Sequence, residues 1–440
     1  MALDLTREDR AMLDGREGDA CALAMRIVAE MANVWEADRL IDITAAHVDS
    51  CLYHGLAGLE FAERLVAGGA KVRVPATLNV SSLDLLHPEL VRLDAETAGR
   101  ARRLMDAYVA MGCRPTWTCA PYQLPERPAF GEHVAWAESN AIVYANSVLG
   151  ARTNRYGDFI DICAAITGRV PAAGLHLDEH RRAQVVFRLV GDIPTKLRLD
   201  PLLGAVVGHV VGKRAGRWVP AIVGLPSTAD LFPGYAQKGM AAIAVSEEQL
   251  KALGAAAASS GGVAMFHAVG VTPEAPDLET ALGGGSPRQE IDLGLADLRA
   301  ARDELSTTAD ALVGAVSVGT PHASINELEA LLGAAASLDG ALSVPFYVNV
   351  ARSVLDRIGP WGWRRTLEER GVTFVSDTCT YVTPVIHDVD GPVMTNSAKW
   401  AWYAPANLGF DVVFGSLDEC VRSAAIGRVW RDPELWGEDA

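Results

Sequence analysis

The stretch Val372-Thr373-Phe374-Val375-Ser376-Asp377-Thr378-Cys379-Thr380 runs from β-branched and aromatic residues straight into a polar tip. Side chains of the first kind suit a pleated, half-buried surface, so the start predicts a short strand. Just before it, Thr366 to Gly371 reads as the end of a helix closed by glycine, the residue that most readily follows a helix C-terminus. The local unit is helix, turn, strand, polar tip, and neighbouring segments repeat it. Ala311 to Val318 predicts a strand ending in Gly319-Thr320-Pro321-His322-Ala323-Ser324, with a helix from Ile325 to Ala335. Ala341 to Val348 predicts a strand ending at Asn349, with a helix from Ala351 to Ile358, and Asp411 to Phe414 a strand leading through Gly415-Ser416 into a helix from Leu417 to Ala425. Strand, loop and helix in repetition mean parallel strands with helices packed across them. Ligands of such sheets sit beyond the carboxyl ends of the strands, where this chain places His322, Asn349 and Cys379.

The N-terminal part alternates in the same way. Ala20 to Ala37 has apolar side chains at helical spacing, and Asp38 to Thr44 is strand-like and ends at Ala45-Ala46-His47-Val48-Asp49. Gly55 to Ala67 is a second helix, Lys71 to Asn79 a strand, and Glu96 to Met111 another helix. Prolines on both sides of Thr116-Trp117-Thr118-Cys119-Ala120 hold an irregular loop. Downstream, Trp136 to Ala141 and Tyr144 to Arg155 carry more polar side chains than a plain core helix needs. Gly204 to Gly212 suggests close packing, Ser246 to Ala258 a helix, and Gly262 to Val269 a buried strand. The run Gly283-Gly284-Gly285-Ser286-Pro287 is the clearest breakpoint, so lobes are expected over 1–282 and 287–440.

At 440 residues the chain is long enough for two or three packed lobes, and with 50% hydrophobic and 21% charged residues it has a globular composition. A net charge of -16 argues against a nucleic-acid partner, which requires a basic surface. No segment approaches the roughly 20 apolar residues that span a bilayer, and the N-terminus lacks the basic start and apolar core of a signal peptide. No membrane association and a cytoplasmic location are therefore expected. Seven cysteines scattered over this length do not form a disulfide framework, so reduced thiols are expected.

A lone cysteine is most often packing, which suits Cys21, Cys51, Cys163 and Cys420 in their apolar or helical contexts. Cys119 and Cys379 differ because each lies in a loop beside threonine, a setting that suits binding of iron or another metal. Cys113 is a weaker candidate. His322 follows a proline-fixed turn and precedes a helix, a position favouring a neutral imidazole or anion binding. Lys399 is a single cation in a small and aromatic setting, where an ordinary surface lysine is the alternative, and Glu138 and Arg152 are weighed in the same way.

Taken in order, Thr118-Cys119-Ala120-Pro121-Tyr122, Trp136-Ala137-Glu138-Ser139, Asn146-Ser147-Val148-Leu149-Gly150-Ala151-Arg152-Thr153, Gly270-Val271-Thr272-Pro273-Glu274-Ala275, Pro321-His322-Ala323-Ser324, Asp377-Thr378-Cys379 and Asn396-Ser397-Ala398-Lys399 resemble the large catalytic region of aconitase X. The resemblance runs from about Leu5 to Ala425. It implies an aconitase-like α/β fold, with several α/β/α lobes and mostly parallel sheets around a central cleft. It also implies a hydro-lyase with an iron-sulfur cluster, taken as a 2Fe-2S cluster with its nuclearity left open. The expected reaction converts cis-3-hydroxy-L-proline to Δ1-pyrroline-2-carboxylate. The alternatives are mevalonate 5-phosphate dehydration and a non-catalytic metal-binding subunit of the same fold. The family also uses a small swivelling domain, here expected as a separate subunit. Archaeal members tend to carry a cysteine where this chain has Thr320, which favours the hydroxyproline branch. By this resemblance Cys119 and Cys379 bind iron, Lys399 and Arg152 the substrate carboxylate, and His322 or Glu138 moves protons. Thr118, Tyr122, Ser139 and Asn140 complete the pocket.

Overall fold

The polypeptide divides after Arg182 into two units, each with its own core. The computed structural model describes residues 3–225, 242–309, 311–338 and 340–437, with the backbone alone for 242–246. In the N-terminal unit β1 (Leu40–Asp42), β2 (Ala45–Val48), β3 (Ala76–Leu78), β4 (Val134–Trp136) and β5 (Arg169–Pro171) form two small sheets. The sheet that matters for chemistry has the order β3-β2-β4, all parallel, with His47 of β2 level with Thr77 and Trp136. β1 instead pairs antiparallel with β5. The strand expected over 38–44 is thus only β1, and the residues that follow it, read as its tip, are the central strand. Helices Asp19–Val34, Leu56–Ala67, Ala95–Ala110 and Ile160–Thr167 supply apolar faces around Met25, Leu59, Leu104, Tyr108 and Ile162, all buried.

In the C-terminal unit the first sheet contains β6 (Val185–Leu189), β7 (Pro220–Val223), β8 (His267–Ala268) and β9 (Gln289–Leu293), parallel in the order β8-β7-β6-β9. β9 follows the glycine-rich run Gly283 to Pro287 and pairs along its length with β6. That run therefore joins helix Leu278–Ala281 to a strand of the same sheet, and the division of the chain falls at Arg182 rather than there. A turn rich in glycine marks a change of direction, which a sheet connection needs as much as a lobe boundary does. Beside this sheet, helix Leu202–Ala215 lies backbone to backbone on helix Ala242–Ser260. A Cβ on Gly204 would sit 2.1 Å from the Gln249 carbonyl oxygen, and one on Gly208 2.3 Å from that of Leu253.

The second sheet joins β10 (Ala315–Val318), β11 (Phe346–Asn349), β12 (Val372–Val375), β13 (Val393–Thr395) and β14 (Val412–Phe414) in the order β12-β11-β10-β13-β14, every pair parallel. Its strands are buried on both faces, as parallel strands covered by helices must be. Val316, Phe346, Phe374, Leu328 and Leu355 form the centre of its core. Helix Trp363–Glu369 ends before Gly371 at φ 96°, which releases the chain into β12 as expected. Among the described residues no helix is long and apolar enough to cross a membrane.

Candidate functional site

In the N-terminal unit the carboxyl ends of the three parallel strands deliver Asp49 after β2, Asn79 after β3 and Glu138 after β4. The Asn79 amide nitrogen donates to Asp49 Oδ1 and, at 3.4 Å, to Glu138 Oε2. Glu138 caps helix Ser139–Tyr144: its Oε1 accepts from the backbone N–H of Asn140 at 3.1 Å, from Ser139 Oγ at 3.1 Å and from the Asn140 side-chain amide. Asn140 passes the network on, donating to the Cys119 carbonyl at 3.0 Å and accepting from the Tyr122 hydroxyl at 2.8 Å. Thr118 Oγ1 accepts from the Ala120 N–H at 3.1 Å, which closes the loop around Cys119. Tyr122 is held from behind by the Tyr144 ring, centroids 3.9 Å apart. Six of the expected site residues, Thr118, Cys119, Tyr122, Glu138, Ser139 and Asn140, thus stand on one loop and one helix start joined by hydrogen bonds.

Burial pushes Asp49 well above the ordinary carboxylate range, and the charges of Glu138, Asp158 and Asp161 add to the rise. His47 is fully buried beside Asn79 and the Thr118 backbone, and burial lowers it to about 4. Its Nδ1 faces Thr77 Oγ1 at 2.8 Å, whereas Nε2 and Asn79 Oδ1 make no well-aligned hydrogen bond among the described residues. Arg152 lies elsewhere. It flanks the start of β4, where its carbonyl accepts from the Val134 N–H, and its guanidinium donates to the His176 carbonyl at 3.0 Å and pairs with Asp178. Cys113 belongs to the apolar core, with its thiol pushed up to about 12 by burial.

In the C-terminal unit Asn349, at the end of β11, ties the neighbouring tips together. Its amide nitrogen donates to the Val318 carbonyl at 2.9 Å and reaches Thr380 Oγ1 at 3.1 Å and Thr320 Oγ1 at 3.3 Å, while its Oδ1 accepts from the Thr380 N–H at 2.9 Å. Thr380 Oγ1 also accepts from the Trp400 indole at 3.0 Å. Between these anchors lie His322 and Cys379, both fully buried, with their ligand atoms within 4.8 Å of one another. His322 Nε2 meets the Thr378 carbonyl at 3.1 Å. A carbonyl only accepts, so Nε2 is the donor in this contact. Asp377, at φ 64°, is gripped by Arg352 through Nε at 2.6 Å and through Nη2.

Lys399 is 1% exposed, at the start of helix Ala398–Leu408, with its ammonium 5.5 Å from the centre of the Tyr381 ring. It borders a cavity of about 530 Å³ together with Thr320, Pro321, Ser397, Ser416 and Lys251. Lys251 supports this wall by donating to the His322 carbonyl at 3.0 Å and pairing with Glu327. Asp49, Asn79 and Lys251 were not singled out in the sequence. The strand-end rule that flags Asn349 and Cys379 also reaches Asp49 and Asn79, whereas nothing in the alanine-rich segment around Lys251 announces its partner. β13 was missed as a strand, although its tip, Asn396 to Lys399, was noted.

Sequence models of the aconitase X first, second and third domains match residues 2–179, 183–303 and 313–426. The chain is 42% identical over 422 residues to a cis-3-hydroxy-L-proline dehydratase of Pseudomonas aeruginosa, covering 96% of this chain and 70% of that protein. A protein of the same name from Hypocrea jecorina is 39% identical over 97% of this chain and 69% of its own length. A phosphomevalonate dehydratase large subunit of Methanothermobacter thermautotrophicus is 36% identical over 95% of this chain and 98% of its own length. The crystal structure of Thermococcus kodakaraensis aconitase X (holo-form) superposes with a TM-score of 0.82 at 32% identity, covering 96% of this chain and all of that one. With all three domains matched in order, and relatives and a solved structure aligned along nearly its whole length, the chain belongs to the aconitase X family.

Proposed function

We propose that the chain is a hydro-lyase that removes water from cis-3-hydroxy-L-proline, giving an enamine that tautomerises to Δ1-pyrroline-2-carboxylate. The graded similarity carries this reading: identity is 42% and 39% with two proteins of that activity, against 36% and 32% with two phosphomevalonate dehydratase large subunits. In the reaction a proton leaves C2, the electron pair of that C–H bond forms the C2–C3 double bond, and the C3 hydroxyl departs as water.

Glu138 is assigned to take the C2 proton. Donors converge on its Oε1, which holds the side chain in one orientation, and Asn79 reaches its Oε2 at 3.4 Å. Lys399 is assigned to the substrate carboxylate, where its buried ammonium opposes the charge that grows as the proton leaves. Arg152 joins in binding the carboxylate only by exchanging Asp178, an exposed partner, for the substrate. Thr118, Tyr122, Ser139 and Asn140 are assigned to shape the pocket.

Cys119 and Cys379 are assigned to an iron-sulfur cluster. Both are reduced and buried, and His322 beside Cys379 adds a ring nitrogen to a set of sulfur and nitrogen atoms of the kind that iron accepts. His322 is thus assigned to hold iron or to return the proton. When bound, the cluster supplies a Lewis acid for the departing hydroxyl. A small swivel-domain subunit is the proposed partner, supported by the match along 98% of a protein named as a large subunit.

Anaerobic co-expression with a small swivel-domain subunit, followed by iron analysis, optical spectra and assays on cis-3-hydroxy-L-proline and mevalonate 5-phosphate, tests the whole reading. Turnover of the hydroxyproline with cluster absorption is expected. Turnover of the phosphate alone would overturn the substrate assignment, and full activity without iron would overturn the cofactor.

A further inference from the structure

The strand ends of the N-terminal sheet hold two carboxylates where one base would suffice. A single amide nitrogen, that of Asn79, serves both Asp49 and Glu138. Two negative charges on one donor repel, and such a pair settles by keeping a proton on one member. The surroundings decide which. Glu138 collects the Asn140 backbone and side-chain donors and the Ser139 hydroxyl, and hydrogen bonds to a charged form favour that form. Asp49 faces acidic company in Asp158 and Asp161, with the Cys51 thiol nearby, the buried His47 imidazole two residues before it, and His54 interacting with Asp158. Burial first, then the charges of Glu138, Asp158 and Asp161, push the Asp49 carboxyl well up.

We propose that Asp49, Asn79 and Glu138 form one proton-carrying unit in which Asp49 keeps a proton and Glu138 is the charged base. Asn79 is its positioning residue: its amide nitrogen lies against both carboxylates and sets their separation. Asp49 then spares Glu138 a neighbouring negative charge, which keeps Glu138 ready to accept the substrate proton. The unit deepens the dehydratase reading and rests on it only for the turnover measurement below.

Infrared difference spectra of the purified protein at about pH 8, above the ordinary carboxylate range, compare wild type with Asp49→Asn. A protonated-carboxyl stretch present in wild type and missing from Asp49→Asn is expected. In Glu138→Gln that stretch should vanish at lower pH than in wild type, because the neighbouring charge is gone. In the complex with the small subunit, Glu138→Gln should lower kcat by about 100-fold or more. Asp49→Ala should lower it by roughly tenfold or more, with most of the loss recovered in Asp49→Asn, which keeps a neutral donor. Absence of an Asp49-dependent stretch overturns the proposal, as does equal kcat for the Ala and Asn variants. The stretch with its shift in Glu138→Gln, in a complex that leaves cis-3-hydroxy-L-proline untouched, supports the unit and counts against the substrate reading instead.

Discussion

Replacing Asn349 by alanine tests how the C-terminal tips are held. The side chain supplies a donor to the Val318 carbonyl and an acceptor to the Thr380 N–H, both at 2.9 Å, in a place with no exposure to solvent. Its longer contacts to Thr320 and Thr380 involve hydroxyls, which turn to other partners at little cost. The two backbone groups cannot turn. Leaving a buried donor or acceptor without a partner costs about 1–3 kcal/mol each, so Asn349→Ala should destabilise the C-terminal unit by roughly 2–6 kcal/mol. For a unit of this size, that is a fall in melting temperature of roughly 4–24 °C. Thermal unfolding followed by tryptophan emission suits the measurement, because the Trp400 indole donates to Thr380, one residue from Cys379. A fall of less than about 2 °C with unchanged emission would refute the claim that Asn349 organises the tips.

Other outcomes follow from the same geometry. Cys379→Ser should remove bound iron while leaving the circular dichroism spectrum intact; full iron content in the variant would show that the ligand is elsewhere. Gly319 has φ 78°, and a Cβ there would sit 2.4 Å from the Asn349 carbonyl oxygen, so Gly319→Ala should cost about 3 kcal/mol by denaturant unfolding. Removing Arg352, the partner of the fully buried Asp377, should cost about 2 kcal/mol as Arg352→Met, less than for a fully buried pair because the arginine is partly exposed. His176 is depressed to about 3 by burial first and by His133, Arg181 and Arg152 after it. A depressed histidine stabilises the fold above its unfolded pKa near 6.5, and that stability drains away as pH falls from there towards about 3. The N-terminal unit should therefore melt progressively lower across that window, and His176→Gln should flatten the dependence; an unchanged slope would exclude His176 as its source.

The parallel sheets were legible because their signal is local. Val372 to Val375 is β-branched and aromatic, Gly371 frees the chain before it, and the same unit recurs around His322 and Asn349. Strand ends were harder to read, since hydrogen bonding decides where pairing stops: the expected strand over 262–269 shrinks to His267–Ala268, and the one over 71–79 to Ala76–Leu78. The division at Arg182 carries no glycine or proline signal as clear as that at 283–287, and only the pairing of β6 with β9 reveals which turn stays within a sheet. At the candidate site, the excess of polar side chains over Trp136 to Ala141 was readable, and the family resemblance pointed to Glu138 and Asn140 within it. What the side chains hold was not, because Arg152 is occupied by Asp178, more than twenty residues onward, and Asp49 draws its meaning from Asn79 and Glu138 on other strands.

The seam between helices Leu202–Ala215 and Ala242–Ser260 has a consequence for sequence change. Gly204 and Gly208 leave room for nothing larger than hydrogen, and a Cβ on Gly212 would lie 2.7 Å from the Ala257 carbonyl oxygen. Saturation mutagenesis of that helix should return a tolerance profile with sharp minima one turn apart. Between those minima the helix is free to drift in sequence, so the seam ought to behave as a ruler: substitutions accumulate along it, but its spacing of four does not change.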